Sequence, residues 1–207
     1  MAGRAAPRGR PRGFDRDAAL RAAMEVFWRR GYEGASVSDL TQAMGINAPS
    51  LYAAFGCKEA LFREAVRLYQ ESEGAGARRA MDEAPDARAM VEAMLRANIR
   101  SYTDPAKPPG CMVVLAAMLG TPENAKVCGF LTGMRKASVA DLKKRLDRHG
   151  ARGTLPRGAD TAALAQFYAT VLQGLSIQAR DGASRRTLDR IADGAMAAWD
   201  GLVGGTR

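Results

Sequence analysis

The sequence predicts an all-α fold of about nine helices. Apolar residues recur at three-to-four spacing along most of the chain, and capping residues stand at the head of these runs. A content of 47% hydrophobic and 26% charged residues suits a folded globular protein. At the start, Arg4, Arg8, Arg10 and Arg12 precede the first acid, Asp15, with Gly and Pro between them and nothing to build a core. Residues 1–13 are therefore expected to be a disordered basic arm. Leu20, Ala23, Met24 and Phe27 then form the stripe of a first helix over 15–30, which Gly31 ends. Ser36 stands three residues before Asp39, a variant of the capping box, and opens a short helix over 37–44 whose inner face is Val37, Leu40 and Met44. Gly45, Ile46 and Asn47 make a tight turn in which glycine can take positive φ and asparagine can cap the next helix. Pro49 suits the first turn of that third helix, held inward by Leu51 and Phe55.

A fourth helix is expected from 58 to 71 or somewhat further, with Cys57 where Ser, Asp or Asn would cap more strongly. Val91, Leu95 and Ile99 mark an amphipathic helix over 86–102, and the Pro- and Gly-rich residues 104–110 a surface loop. The nearly all-apolar stretch from Gly110 to Leu115 opens a buried helix. Thr121, Pro122 and Glu123 read as N-cap, N1 proline and early acid of a long helix to about residue 149. Further helices are expected over 160–179 and 184–202, after a loop at 154–157. Lys143, Lys144, Arg145 and Arg148 read as a solvated face, and His149 as a cation favouring the helix C-terminus.

Composition removes several classes of function. The longest apolar run, 111–119, has 9 residues, against about 20 for a bilayer crossing, and no apolar leader opens the chain. A cytoplasmic protein with no membrane partner is expected. Cys57, Cys111 and Cys128 lie far apart with no CxxC pair, and His149 is the single histidine, so no metal site, cofactor or His-centred catalytic site is expected. The chain is not expected to be an enzyme.

Charge points to a polyanion. Lys and Arg number 31 against 22 acids, for a net +9. Arg8-Gly9-Arg10-Pro11 resembles the core of an AT-hook, which fits the narrow minor groove of A·T-rich DNA. The two short helices around Gly45 have the spacing of a helix-turn-helix, whose second helix can enter a major groove. Residue identity goes further. The run from Gly31 to Leu40 (GYEGASVSDL), then Met44-Gly45-Ile46, Ser50-Leu51-Tyr52, Phe55 and Lys58-Glu59-Ala60-Leu61-Phe62, resembles the DNA-binding head of the tetracycline repressor (TetR) family of bacterial transcription regulators.

That resemblance implies a role for each matching position. Ser36 and Gln42 would lie near the DNA backbone. Asn47, Ala48, Pro49 and Ser50 would form the groove-facing end of the recognition helix, and Tyr52 and Lys58 would contact phosphates, chemistry that a phenol and an ammonium suit. Arg8, Arg10 and Arg12 join this set through the arm. Ala53 and Ala54 stand where the family often has aromatic or His side chains, so base reading would be sparse. Ala48-Pro49 favours thymine methyl groups over guanine.

The implied organisation is a basic arm (1–13), a three-helix DNA-binding head (14–72) and a larger helical domain for effector binding and dimerisation (73–207). A single head reads few base pairs, which argues for a homodimer on a palindromic double-stranded operator. Its seam is expected on the last two helices: Ala163, Phe167, Thr170, Val171, Gly174 and Leu175 on one, Leu188, Ile191, Ala195, Met196, Trp199 and Leu202 on the other. The candidate lining of the effector pocket is Leu95, Ile99, Tyr102, Met112, Leu115, Met118, Phe130, Met134, Phe167 and Val171. The expected function is a repressor released from its operator by a small, mainly apolar molecule. Two alternatives remain open on the sequence alone, a regulator responding to thiol oxidation through Cys57 and an architectural protein of A·T-rich DNA. The apolar run around Cys111 predicts that this thiol is buried and unreactive.

Overall fold

Helix succeeds helix throughout the computed structural model, which describes residues 13–204 and has no β-strand among them. Nine α-helices have eight residues or more, the expected number though not all at the expected places, and two are shorter. α1 (Arg16–Gly34) starts at Asp15, whose carboxylate accepts the N–H groups of Asp17 and Ala18. Its regular path breaks at Gly31, where φ is 74° and ψ 175°, a conformation essentially confined to glycine. α2 (Val37–Met44) carries the full reciprocal capping box of Ser36 and Asp39 and ends on Gly45 at φ 64°. α3 (Ala48–Phe55) is capped by Asn47, whose side chain accepts the Ser50 N–H at 2.9 Å, and buries Leu51 and Phe55 against α1 and α4 (Lys58–Ser72). Phe27, Tyr32 and Phe62 interlock at the centre, with ring centroids 5.0 Å apart for Phe27–Phe62 and 5.1 Å for Tyr32–Phe62.

The rest of the chain departs from expectation at four places. α5 (Ala75–Asp82) comes almost directly after α4; it has no side-chain cap and no buried residue, so neither of the usual signals announces it. α6 (Ala87–Tyr102) is capped by Asp86 as expected. The apolar stretch after Gly110 gives only one helical turn, α7 (Met112–Leu115), which is nonetheless buried. Thr121 makes no capping bond: a 3₁₀ turn (Pro122–Asn124) leads into α8 (Ala125–Ala151) instead. α9 (Thr161–Arg180) runs as expected, whereas the final helix is divided at Ala198 into α10 (Arg185–Ala197) and α11 (Trp199–Val203).

Two apolar clusters hold these helices. The first belongs to α1–α4, yet Met112, Val113, Ala116, Ala117, Val127 and Leu131 complete it from far along the chain. The second joins α6 with α8–α11. Among the described residues no helix is long and apolar enough to cross a membrane. Lys143 pairs with Asp147 on the α8 surface, whereas Arg145, expected on a solvated face, is mostly covered and pairs with both Asp141 and Asp82. His149 is not the cation that the sequence predicts. The residue is 8% exposed, with Nδ1 2.8 Å from the Thr154 hydroxyl. Burial, helped by nearby Arg152, holds its pKa below the ordinary value of 6.5, so at neutral pH it is mostly uncharged and gives the helix dipole little.

Candidate nucleic-acid interface

The α2–α3 corner forms an open cleft of about 700 Å³. Gln42, Asn47 and Ser50 come together in it, beside Thr41, Ile46, Ala53 and Ala54. Gly13 and Phe14 close its edge. Arg8, Arg10 and Arg12 lie outside the described residues. Of 11 basic side chains in residues 1–69, the arm holds four; the other seven are matched by seven acids, so the whole positive excess of this part of the chain belongs to the arm. α3 turns Pro49, Tyr52 and Ala53 to the side opposite Leu51, and Tyr52 is 48% exposed. Ala48 is half-buried at its first turn.

Two of the expected backbone contacts are engaged within the chain. The Ser36 hydroxyl donates to Asp39 Oδ2 at 2.7 Å and accepts the Asp39 N–H at 3.0 Å. The Asp39 carboxylate also accepts the Ser36 N–H at 3.0 Å, and the Ser36 hydroxyl and N–H, with Arg30 at 2.6 Å, hold its pKa down at about 2. Lys58 Nζ stands 4.4 Å from the centroid of the Tyr32 ring. Burial lowers its pKa, and the Glu33 carboxylate acts in the other direction. Cys57 is exposed and caps α4 through sulfur, accepting the Ala60 N–H at 3.4 Å, a longer bond than an oxygen cap would give.

A second cavity, of about 560 Å³, opens among α4, α5, α6, α8, α9 and the 111–114 segment. Of the pocket residues read from sequence, Tyr102 and Met134 line it. Leu95, Ile99 and Met112 are instead fully buried in the two cores, because their stripes face neighbouring helices. Leu115, Phe130 and Val171 are half-buried away from it, and Met118 and Phe167 are exposed. Cys111, expected to be buried, is a half-exposed free thiol on the wall. It adjoins the phenols of Tyr69 and Tyr102, whose pKa values burial and this thiol both raise. Sequence reasoning missed Arg78, Arg135 and Gln173 on the wall, since polar residues on an amphipathic helix read as solvated.

The expected seam divides. Leu175, Leu188, Ala195 and Trp199 are buried inside the chain's own second core, as is Met196, so they are unavailable to a partner and are corrected to core residues. Gly174 and Ile191 remain at least partly at the surface, as do Phe167 and Ile177 on α9.

Between head and body runs a segment, residues 110–124, with contacts at both ends. Cys111 N–H donates to the buried Ser176 hydroxyl at 2.8 Å, and Gly110 C=O accepts Trp28 Nε1–H at 3.0 Å. Further on, Ala116 C=O accepts the Tyr32 N–H at 2.7 Å, and Glu33 accepts the N–H of Thr121 at 2.7 Å and the amide of Asn124 at 2.9 Å.

Known proteins share both the head and the body. Residues 19–65 match the family described as bacterial regulatory proteins, tetR family. Over 198 residues the chain is 36% identical to the HTH-type transcriptional repressor ComR of Escherichia coli K12, covering 95% of this chain and 94% of that one. Another repressor of the same organism, BdcR, is 32% identical over 91% of this chain and 90% of its own. Among solved structures, a cysteine-substituted form of the TetR family transcriptional regulator CifR, complexed with a 26-base-pair operator duplex, is 49% identical, with a TM-score of 0.90 over 92% of this chain and all of that one. The chain belongs to the TetR family of bacterial DNA-binding transcription regulators.

Proposed function

We propose that the chain is a dimeric repressor that holds a palindromic operator with two heads and releases it when a small, mainly apolar effector occupies the 560 Å³ cavity. The carrying observation is the exposed face of α3 beside a cleft that gathers Gln42, Asn47 and Ser50. The operator-bound state of CifR and the repressor names of ComR and BdcR support the same reading. Asn47 to Ser50 read bases, while Tyr52, Lys58, Ser36 and Gln42 lie along the backbone and the arm tracks the adjoining minor groove.

Release needs a path from cavity to head, and the 110–124 segment supplies one. Val113 and Val114 line the cavity, and two residues later the same segment is bonded to Tyr32 at the end of α1. An effector that favours a different seating of this segment tilts α1, and with it the heads; DNA must weaken effector binding by the same factor. The test is selection of bound sequences from random DNA, then footprinting and mass determination of the complex. The expected result is a palindrome with half-sites about one helical turn, roughly 34–36 Å, apart or a multiple of it, carrying an even number of chains. Broad binding to A·T-rich DNA with no palindrome overturns it.

A further inference from the structure

Four charged side chains line the cavity, and only the acids are answered. Glu73 is paired with Lys107 at 2.7 Å and Asp141 with Arg145 at 2.9 Å, and neither cation belongs to the wall. The two arginines have neutral partners. Arg78 is exposed and donates to the Gln70 carbonyl at 2.8 Å. Arg135 is half-buried and donates to the Val113 carbonyl at 3.1 Å and the Thr132 hydroxyl at 2.9 Å. Among the described residues neither forms an ion pair. A guanidinium has five N–H donors in a planar fork, so Arg135 keeps donors for whatever enters. Its charge stands beside apolar wall from Met94, Val114, Leu142 and Leu172, where poor screening strengthens its pull on an anion.

We propose that the effector is an organic anion, an apolar body bearing a carboxylate that Arg135 receives and that the field of Arg78 favours. This rests on the cavity being the effector site. Planar, two-point recognition of a carboxylate is what a guanidinium does best. The location also gives the charge a consequence, because the Val113 carbonyl that Arg135 holds is part of the segment leading to Tyr32. A carboxylate received on the remaining donors turns the guanidinium and so competes with that carbonyl for its orientation.

The experiment titrates the full-length protein, by calorimetry, with two shape-matched pairs: octanoate against octanol, and phenylbutyrate against phenylbutanol. At least one carboxylate should bind about tenfold or more tightly than its alcohol, the size expected of a charge-assisted hydrogen bond. Arg135→Met should abolish that preference while leaving the alcohol's affinity in place, and Arg135→Lys should restore part of it. Equal or tighter binding of the alcohols overturns the anion class but leaves the cavity as the effector site. An unchanged preference in Arg135→Met overturns the assignment to Arg135. If no compound of either pair binds at millimolar concentration, the anion proposal and the cavity reading both fall. The wild-type comparison decides the class of ligand even if a variant fails to fold.

Discussion

Lys58 sits at the joint of the head, covering the Tyr32 ring near the Glu33 carboxylate that Thr121 and Asn124 already hold. In the proposed function the same ammonium, at the start of α4, contacts a DNA phosphate. Lys58→Ala should weaken binding to all sequences alike, and the slope of log affinity against log salt should fall by about 1. Measuring affinity across a salt series checks this, and an unchanged slope would place Lys58 off the phosphates. Capping residues such as Ser36, Asp39 and Asn47 were legible in the sequence because a cap is a bond between near neighbours in the chain. The Lys58–Tyr32 contact was not, since it depends on how α1 and α4 pack. Family likeness assigns Ser36 to phosphate, whereas in the free chain its hydroxyl is engaged by Asp39.

At the scale of elements, the 110–124 segment is the part that periodicity read least well. Its apolar run predicts a buried helix, and burial is what the structure has, but only one turn is helical because the chain is drawn against α1. Gly31 makes that approach possible. A methyl group there would stand 3.0 Å from the Ala116 carbonyl oxygen, on a backbone with φ 74°. Gly31→Ala should therefore lower stability by about 1–3 kcal/mol through strain alone, and should loosen the Tyr32–Ala116 bond on the proposed path. Urea unfolding measures the first effect and effector-dependent release of DNA the second. Wild-type stability in the variant would show that the segment yields freely and transmits nothing. The glycine itself was readable as the end of a helix; that it also admits a distant carbonyl was not. α5 escaped for a different reason, since a helix of eight residues with no cap and no fully buried side chain leaves too short a stripe to find.

Taken as one molecule, the chain closes two cores and still leaves an apolar band on α9 and α10. Phe167 is 37% exposed, Ile177 37% and Ile191 40%, and small residues at Gly174 and Gly194 lie at least partly at the surface of the same helices. The sequence pattern marked both helices as apolar but could not divide core from seam, because a helix buried on two sides carries two stripes that merge into one. Leu188 and Trp199 fell on the inner stripe, Ile191 on the outer. That division makes the proposed dimer separable from the fold. Ile191→Asp places a charge on the outer stripe without touching either core, so it should yield a folded monomer that sediments at half the mass and binds the operator far less tightly, since two linked heads gain from effective concentration. Leu188→Ala should do the reverse, costing about 2–5 kcal/mol of fold stability as a buried leucine does, while leaving any folded chains paired. Sedimentation and circular dichroism on the two variants decide the matter: an Ile191→Asp protein that stays dimeric at low micromolar concentration would put the partner on another face.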